Sequence, residues 1–211
     1  MCQHADSGSL RPAERPDDPS MHAFIGLGNP GVRYADTRHN AGFDVIDTWL
    51  RRLGLELAPI SERFHGTIAK IGGLPVALVK PVTFMNRSGY AVREAVGHYE
   101  LDVDRIVVVC DDVNLPFGTL RLRSKGSHGG HRGLESIIDT LGTEAFARQR
   151  IGVDQPRDAD TLVDYVLEEF TKEEATDLPI VLDRACDQLE VFVSEGCGEA
   201  ANRYNGPSFT D

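Results

Sequence analysis

Residues 23–31 read AFIGLGNPG, a short apolar run followed by three glycines in the pattern G-x-G-x-x-G. The apolar run is typical of a buried β-strand, and glycines directly after it let the chain turn sharply where the strand ends. Dinucleotide-binding folds use the same spacing, but there a helix begins inside the glycine motif and meets the pyrophosphate. Here Pro30 lies within the motif, and roughly ten polar residues precede the next helical pattern. A nucleotide site is therefore not favoured.

Strand and helix patterns alternate along the rest of the chain. Apolar residues recur at helical spacing from Ala41 to Leu53, and Gly54 ends that run. Residues 64–71 and 74–80 read as two strands joined by Gly72-Gly73, which predicts a hairpin. Further strands are predicted at 105–109, 118–123 and 148–153, and further helices at 91–99 and 134–141. The chain has 211 residues, a length typical of one domain. We predict an α/β fold: a single domain at 21–211 with a mixed, mostly parallel central sheet flanked by helices.

The N-terminal residues and the cysteines bear on where the protein works. Residues 1–20 are polar and proline-rich, with none of the apolar core of a signal peptide, so we expect a disordered extension and regard Met21 as a candidate start. The sequence contains no run of about 18 apolar residues, so it predicts no membrane-spanning helix. The four cysteines lack metal-type spacing, which favours free thiols and predicts no metal site. We expect a cytoplasmic monomer.

The charge is distributed unevenly. The chain carries a net charge of −11, and residues 158–199 hold thirteen acidic residues against two basic ones. Residues 121–150, in contrast, hold six basic residues against three acidic ones. Such asymmetry can steer a polyanion to one face of a protein. The alternative is a solvated surface on which the basic residues cluster by chance.

Polar side chains follow three of the predicted strands. Asn29 and His39 follow the first strand, Asn86 follows the hairpin, and Asp111 closes the next strand. A histidine with a carboxylate and amides can act as a general base, its orienting group and donors to an oxyanion or a water. No serine or cysteine is placed as a nucleophile, so activated water is the simpler hypothesis. Taken singly, His39 could be a capping residue and Asp111 part of a turn.

Four long blocks carry a resemblance to a known family. GLGNPGVRYADTRHNAGF (26–43), KPVTFMNRSG (80–89), DDVNLPFGTLRLRSKGSHGGHRGLESI (111–137) and ANRYNG (201–206) resemble bacterial peptidyl-tRNA hydrolase in order and spacing. The resemblance implies a single α/β domain that hydrolyses the ester joining a peptide to the 3′ end of tRNA. It implies peptidyl-tRNA as the partner, no metal and no organic cofactor.

The resemblance also implies roles for individual residues. His39 matches the catalytic base, and Asp111 matches the carboxylate that orients it. The positions that match substrate-binding residues are Asn29, Tyr34, Met85 and Asn86. Arg123 and Arg150 match basic positions associated with tRNA phosphates, and Arg121 and Lys125 extend that patch. GSHGGHRG (126–133) resembles a flexible glycine-rich loop beside the substrate groove.

The chain departs from the family pattern at Arg132. After GGH the family usually has an asparagine that belongs to the substrate groove, whereas this chain has arginine. We therefore expect Arg132 among the substrate-binding residues, with an effect on turnover. Two hypotheses follow: an active hydrolase, or a catalytically weakened RNA-binding protein that keeps the fold.

Overall fold

The computed structural model describes residues 21–155 and 162–209. The predicted extension at 1–20 lies outside the described residues. Five helices lie in the described part: α1 (Ala41–Leu53), α2 (Ser88–His98), α3 (Arg132–Leu141), α4 (Leu162–Val166) and α5 (Lys172–Tyr204). Helix α5 is interrupted at Gly196, whose φ of 88° is not helical.

One mixed sheet forms the centre of the fold. Its strands are β1 (His22–Gly26), β2 (Ala58–Pro59), β3 (Phe64–Ile71), β4 (Leu74–Pro81), β5 (Ile106–Asp112), β6 (Thr119–Arg123), β7 (Ala147–Gly152) and β8 (Gly206–Pro207). Their order across the sheet is β2-β3-β4-β1-β5-β7-β6-β8. The four central strands β4, β1, β5 and β7 pair in parallel, and only β3 and β6 run against the other strands. The predicted mixed, mostly parallel sheet is confirmed.

Helices cover both faces of this sheet. Phe24 of β1 faces a cluster with Trp49 of α1 and Leu189 of α5. Its neighbour Ile25 faces a second cluster, which contains Val92 of α2 and residues of α3. Successive residues of a strand point to opposite faces, so the continuous apolar run that predicted β1 is buried on both sides.

The glycines at 26–31 allow α1 to pack closely against the strand ends. A Cβ atom on Gly26 would overlap the carbonyl oxygen of Gly42, and one on Gly42 would overlap that of Val109. The Leu27 amide donates to the Val109 carbonyl at 2.9 Å, and the Phe43 amide donates to the Leu27 carbonyl at 3.1 Å. Because α1 begins only at Ala41, the motif does not form a dinucleotide site. It places the residues before α1 beside the end of β5.

Candidate active site

His39 and Asp111 meet where β1 and β5 end. His39 lies in a single 3-10 turn, Arg38–Asn40, that leads into α1. Its Nδ1 lies 2.9 Å from Oδ1 of Asp111, and the two side chains are 12% and 2% exposed. A carboxylate only accepts hydrogen bonds, so Nδ1 carries a proton, and in the neutral ring Nε2 keeps its lone pair. The predicted base and orienting carboxylate are therefore brought together, in the tautomer that a base requires.

A second histidine, His131, contacts the same carboxylate and was missed by the sequence analysis. Its Nε2 lies 3.0 Å from Oδ1 of Asp111. Its Nδ1 accepts from the backbone amides of Gly133 and Leu134 at 3.1 and 3.3 Å, which caps α3. Nε2 therefore carries the proton, and both histidines donate to one oxygen of Asp111. Histidine is not among the preferred helix-capping residues. The position of His131 just before a helical pattern is the one sequence signal that could have predicted its capping role.

The contacts within this cluster shift the pKa values of His39 and Asp111 in opposite directions. Burial opposes a charge on His39, but the charge of Asp111 and its hydrogen bond outweigh burial and raise the pKa of His39. Burial alone would raise the pKa of Asp111, but the two histidines hold it well below its usual range. Asp111 is thus ionised at neutral pH and stabilises an imidazolium on His39.

Asn29 is fixed beside this cluster. Its Oδ1 accepts from the Met85 amide at 2.9 Å. Its backbone amide donates to Oδ1 of Asn40 at 2.8 Å, and Nδ2 of Asn40 donates back to the Asn29 carbonyl at 3.1 Å. Since Oδ1 of Asn29 is occupied, its Nδ2 hydrogens are left for a ligand. Asn40 was missed by the sequence analysis, because it reads as the residue before a helix.

These residues line a cavity of about 870 Å³. Four of the five residues predicted to bind substrate contribute to its wall together with His39: Asn29, Met85, Asn86 and Arg132. Their contact with substrate stays a prediction. One side is apolar and comes from Leu162, Val163, Val166 and Leu167, in and next to α4. Tyr34 differs: it lies in the turn Val32–Tyr34 and is not among the lining residues. Its role in substrate binding stays a prediction.

Comparison with known proteins identifies the family. The family model described as Peptidyl-tRNA hydrolase matches residues 23–211. The chain belongs to the peptidyl-tRNA hydrolase family. A protein named peptidyl-tRNA hydrolase from Alkaliphilus oremlandii is 46% identical over 186 residues, which cover 88% of this chain and 100% of that protein. Another, from Chloroflexus aggregans, is 50% identical over 188 residues, which cover 88% and 99%.

A solved structure of this family has the same fold. The crystal structure of peptidyl-tRNA hydrolase from Acinetobacter baumannii superimposes with a TM-score of 0.81 at 31% sequence identity. The match covers 88% of this chain and 96% of that chain. The resemblance inferred from the four sequence blocks is thereby confirmed, and so is the fold that it implied.

The basic residues predicted to bind tRNA fall into two groups, one exposed to solvent and one enclosed by protein groups. Arg121 and Arg123 project from β6, and Lys125 follows them; all three are exposed. Within residues 21–155 and 162–209, none of the three has a carboxylate within 4.0 Å. They are available to an anionic ligand.

Arg150 is enclosed by protein groups. It donates to Oδ2 of Asp112 at 3.0 Å and to the carbonyls of Ser127 and His128 at 2.9 and 3.2 Å. Its side chain is 11% exposed. A phosphate could reach most of these donors only after the loop at 124–131 moved. The phosphate contact predicted for Arg150 stays a prediction.

Arg132 lies at the rim of the cavity. Its side chain is 70% exposed and donates to Glu135 at 2.8 Å, an i,i+3 pair in the first turn of α3. Exposed pairs of this kind contribute little stability, because water and salt screen the two charges. The guanidinium is therefore free to exchange Glu135 for a phosphate or a peptide carbonyl.

His39, Asp111 and His131 could also be considered as metal ligands, since their ligand atoms lie within 4.8 Å of one another. A metal-bound imidazole offers a lone pair to the ion. Here the ring nitrogens that face Asp111 both carry protons. Moving the proton of His131 to Nδ1 would break its two bonds to the start of α3. The donor set favours a hydrogen-bonded cluster over a metal site.

In the stretches 21–155 and 162–209, no helix combines the length and apolar character needed to cross a bilayer.

Proposed function

We propose that this protein hydrolyses the ester bond between a peptide and tRNA, with His39 as the general base. The observation that carries the proposal is the 2.9 Å contact between His39 Nδ1 and Asp111 beside an open cavity. It leaves Nε2 of His39 as a proton acceptor towards that cavity. Membership of the peptidyl-tRNA hydrolase family indicates that the substrate is peptidyl-tRNA.

The reaction then needs only the groups described. His39 Nε2 takes a proton from a water molecule whose oxygen attacks the ester carbonyl carbon, and Asp111 stabilises the imidazolium. We expect Nδ2 of Asn29 and the amide of Asn86 to donate hydrogen bonds to the developing oxyanion. When the tetrahedral intermediate collapses, the ester C–O bond breaks. The ribose oxygen receives the proton from His39.

Cys110 is not an alternative nucleophile. It precedes Asp111 on β5 and is fully buried. Burial raises the pKa of its thiol to about 12. Because the thiolate is the reactive form, this cysteine is inert at neutral pH.

A turnover assay on N-acetylaminoacyl-tRNA tests the proposed function directly. We expect release of free tRNA from this substrate and no hydrolysis of aminoacyl-tRNA with a free amino group, which serves as the control. Binding of tRNA without turnover would instead favour the alternative, a catalytically weakened RNA-binding protein.

We expect Arg121, Arg123 and Lys125 to contact tRNA phosphates. Affinity for tRNA should therefore fall steeply with salt, and replacing any one of them by alanine should flatten the slope of log K against log salt by roughly one unit. Phosphate contacts carry no sequence information, so all tRNAs should weaken about equally. Filter binding at several salt concentrations measures this.

Lys70→Ala is the matched control, because Lys70 is exposed on β3, remote in the sheet from β6. It should leave the slope unchanged. A salt-independent affinity would contradict the assignment, and so would a variant that changes preference among tRNAs.

Arg132 distinguishes the two functional hypotheses. An asparagine offers one acceptor and two donors, whereas arginine only donates. We expect Arg132→Asn to raise kcat/KM by roughly tenfold, about 1.4 kcal/mol of transition-state stabilisation. The comparison is made at two salt concentrations, to separate chemistry from phosphate binding. A drop in kcat/KM at both would mean that Arg132 has become part of this enzyme's own site.

The proposal extends to the oligomeric state, the metal requirement and the cellular location of the protein. We infer that the protein acts in the cytoplasm, since its substrate arises in translation. We also infer that it is a monomer and needs no metal. Retention of full turnover in a chelator, and a sedimentation mass of one chain, are the expected results. Loss of turnover that added metal restores would contradict the metal-free mechanism.

A further inference from the structure

The segment 124–131, here called the glycine loop, joins β6 to α3 and carries His131 to the active site. Gly126, Gly129 and Gly130 all have positive φ, at 153°, 58° and 85°. Glycine is the residue least restricted in backbone conformation, so the loop has little stiffness of its own. Specific contacts must hold it where His131 meets Asp111.

Arg148 of β7 supplies such contacts from beneath the loop. Its Nη1 donates to the carbonyls of Gly126 and Ser127, the latter at 3.2 Å. Its Nη2 donates to the carbonyls of Glu144 and Phe146 at 3.1 and 3.2 Å. The guanidinium therefore ties the glycine loop to the segment that begins β7.

Burial makes this arrangement unusual for a charged side chain. Arg148 is 1% exposed, and in the described part of the chain no carboxylate lies within 4.0 Å of it. Burying an unpaired charge is costly unless hydrogen bonds compensate. The compensation comes from four backbone carbonyls, two of which belong to the glycine loop, and from the ring of Phe146, whose centroid lies 4.4 Å from Cζ of Arg148. Charge-assisted bonds of this kind are about twice as strong as neutral ones.

Arg150 extends the same support towards the site. It donates to the carbonyls of Ser127 and His128 and is held by Asp112. The His128 carbonyl also accepts from the His131 amide at 3.1 Å. A continuous series of contacts thus leads from Arg148 through the loop backbone to His131. His131 in turn donates to Asp111, which orients His39.

We propose that Arg148 is a positioning residue, which acts on the reaction by holding the glycine loop and thereby His131 against Asp111. The inference rests on the proposed function, in which Asp111 orients His39. Arg148 itself touches neither the cavity nor the catalytic pair. Arg148 acts by increasing the fraction of molecules in which His131 contacts Asp111.

The test is a double-mutant cycle between Arg148→Met and His131→Ala. Methionine fills similar apolar volume and removes a charge that burial and Arg150 already disfavour, so the fold should survive. Misplacement near a reacting centre can cost up to about 10²-fold in rate. We expect each single variant to lower kcat about tenfold with KM within about twofold. In the His131→Ala background, Arg148→Met should cost about twofold or less, because coupled residues are not additive.

Arg184→Met is the matched control. Arg184 lies in α5, donates to the Tyr204 carbonyl at 3.3 Å and does not line the cavity; its replacement should leave kcat unchanged. If Arg148→Met fails to fold by thermal unfolding, the cycle is run with Arg148→Lys, which keeps the charge but cannot reach both pairs of carbonyls. Independent, multiplicative losses in kcat would overturn the inference, as would a folded Arg148 variant whose kcat is unchanged or which alters KM alone.

Failure of this inference is distinguishable from failure of the proposed function. If the unmodified protein does not hydrolyse N-acetylaminoacyl-tRNA, the proposed function fails. If it does so normally and the cycle is multiplicative, only the role of Arg148 fails.

Discussion

Replacing His39 by alanine is expected to lower kcat for N-acetylaminoacyl-tRNA by about 10²- to 10⁴-fold, the usual cost of losing a general base. The imidazole acts on water and contacts no phosphate in the proposed mechanism, so tRNA affinity should stay nearly unchanged. Single-turnover hydrolysis measures the chemical step, and filter binding measures the affinity.

His65→Ala is the control for a histidine outside the site. His65 lies on β3 and does not line the cavity, so its loss should leave kcat unchanged. Near-wild-type turnover in His39→Ala would show that another group is the base. A parallel loss of tRNA affinity would show that His39 acts in binding.

Replacing Asp111 by asparagine should lower kcat/KM by about 10²-fold, less than the expected upper range for His39→Ala. The asparagine oxygen can still accept from both histidines, so orientation is partly kept. The negative charge that stabilises the imidazolium is lost. Asp104→Asn, at an exposed position before β5, is the matched control and should have no effect.

The pH profile gives a sharper signature of the same substitution. Asp111 raises the pKa of His39 against the opposing effect of burial. Since only neutral His39 accepts a proton, kcat/KM falls as the pH drops through that raised pKa. In Asp111→Asn the pKa of His39 should fall, so the acid limb of the profile should move to lower pH while its plateau drops. An acid limb that stays in place, or moves to higher pH, would exclude Asp111 as the charge that tunes His39.

The elements of the fold were predictable because they depend on near neighbours in the chain. Helix α1 follows from apolar residues three and four apart, and its end at Leu53 follows from Gly54, which adopts the left-handed φ of 64°. The hairpin of β3 and β4 follows from two strand patterns around Gly72-Gly73. The order of strands in the sheet depends on longer-range packing, which such patterns do not report.

The candidate site was predictable in part. Asn29, His39 and Asn86 were predicted because they follow strands, and Asp111 because it lies at the end of one. Parallel strands deliver their carboxyl ends to one edge of a sheet. His131 was missed because its partner Asp111 lies 20 residues away, and its bond depends on the path of the glycine loop. Asn40 was missed because its role is to hold the backbone of Asn29, 11 residues earlier.

The sequence by itself determined the strands, the helices and the family, and it predicted His39 and Asp111 as a general base and its carboxylate. Only the tertiary structure decided which polar residues are buried. Strand β7 reads ARQRIG, a pattern typical of a solvent-facing edge, yet all six residues are buried. Arg148 and Arg150 lie beneath a loop that begins more than twenty residues before them, and Gln149 donates to Gln188 of α5. Local patterns report alternation and turns, whereas the partners that make a buried charge tolerable come from distant segments, and only the packed fold brings them together.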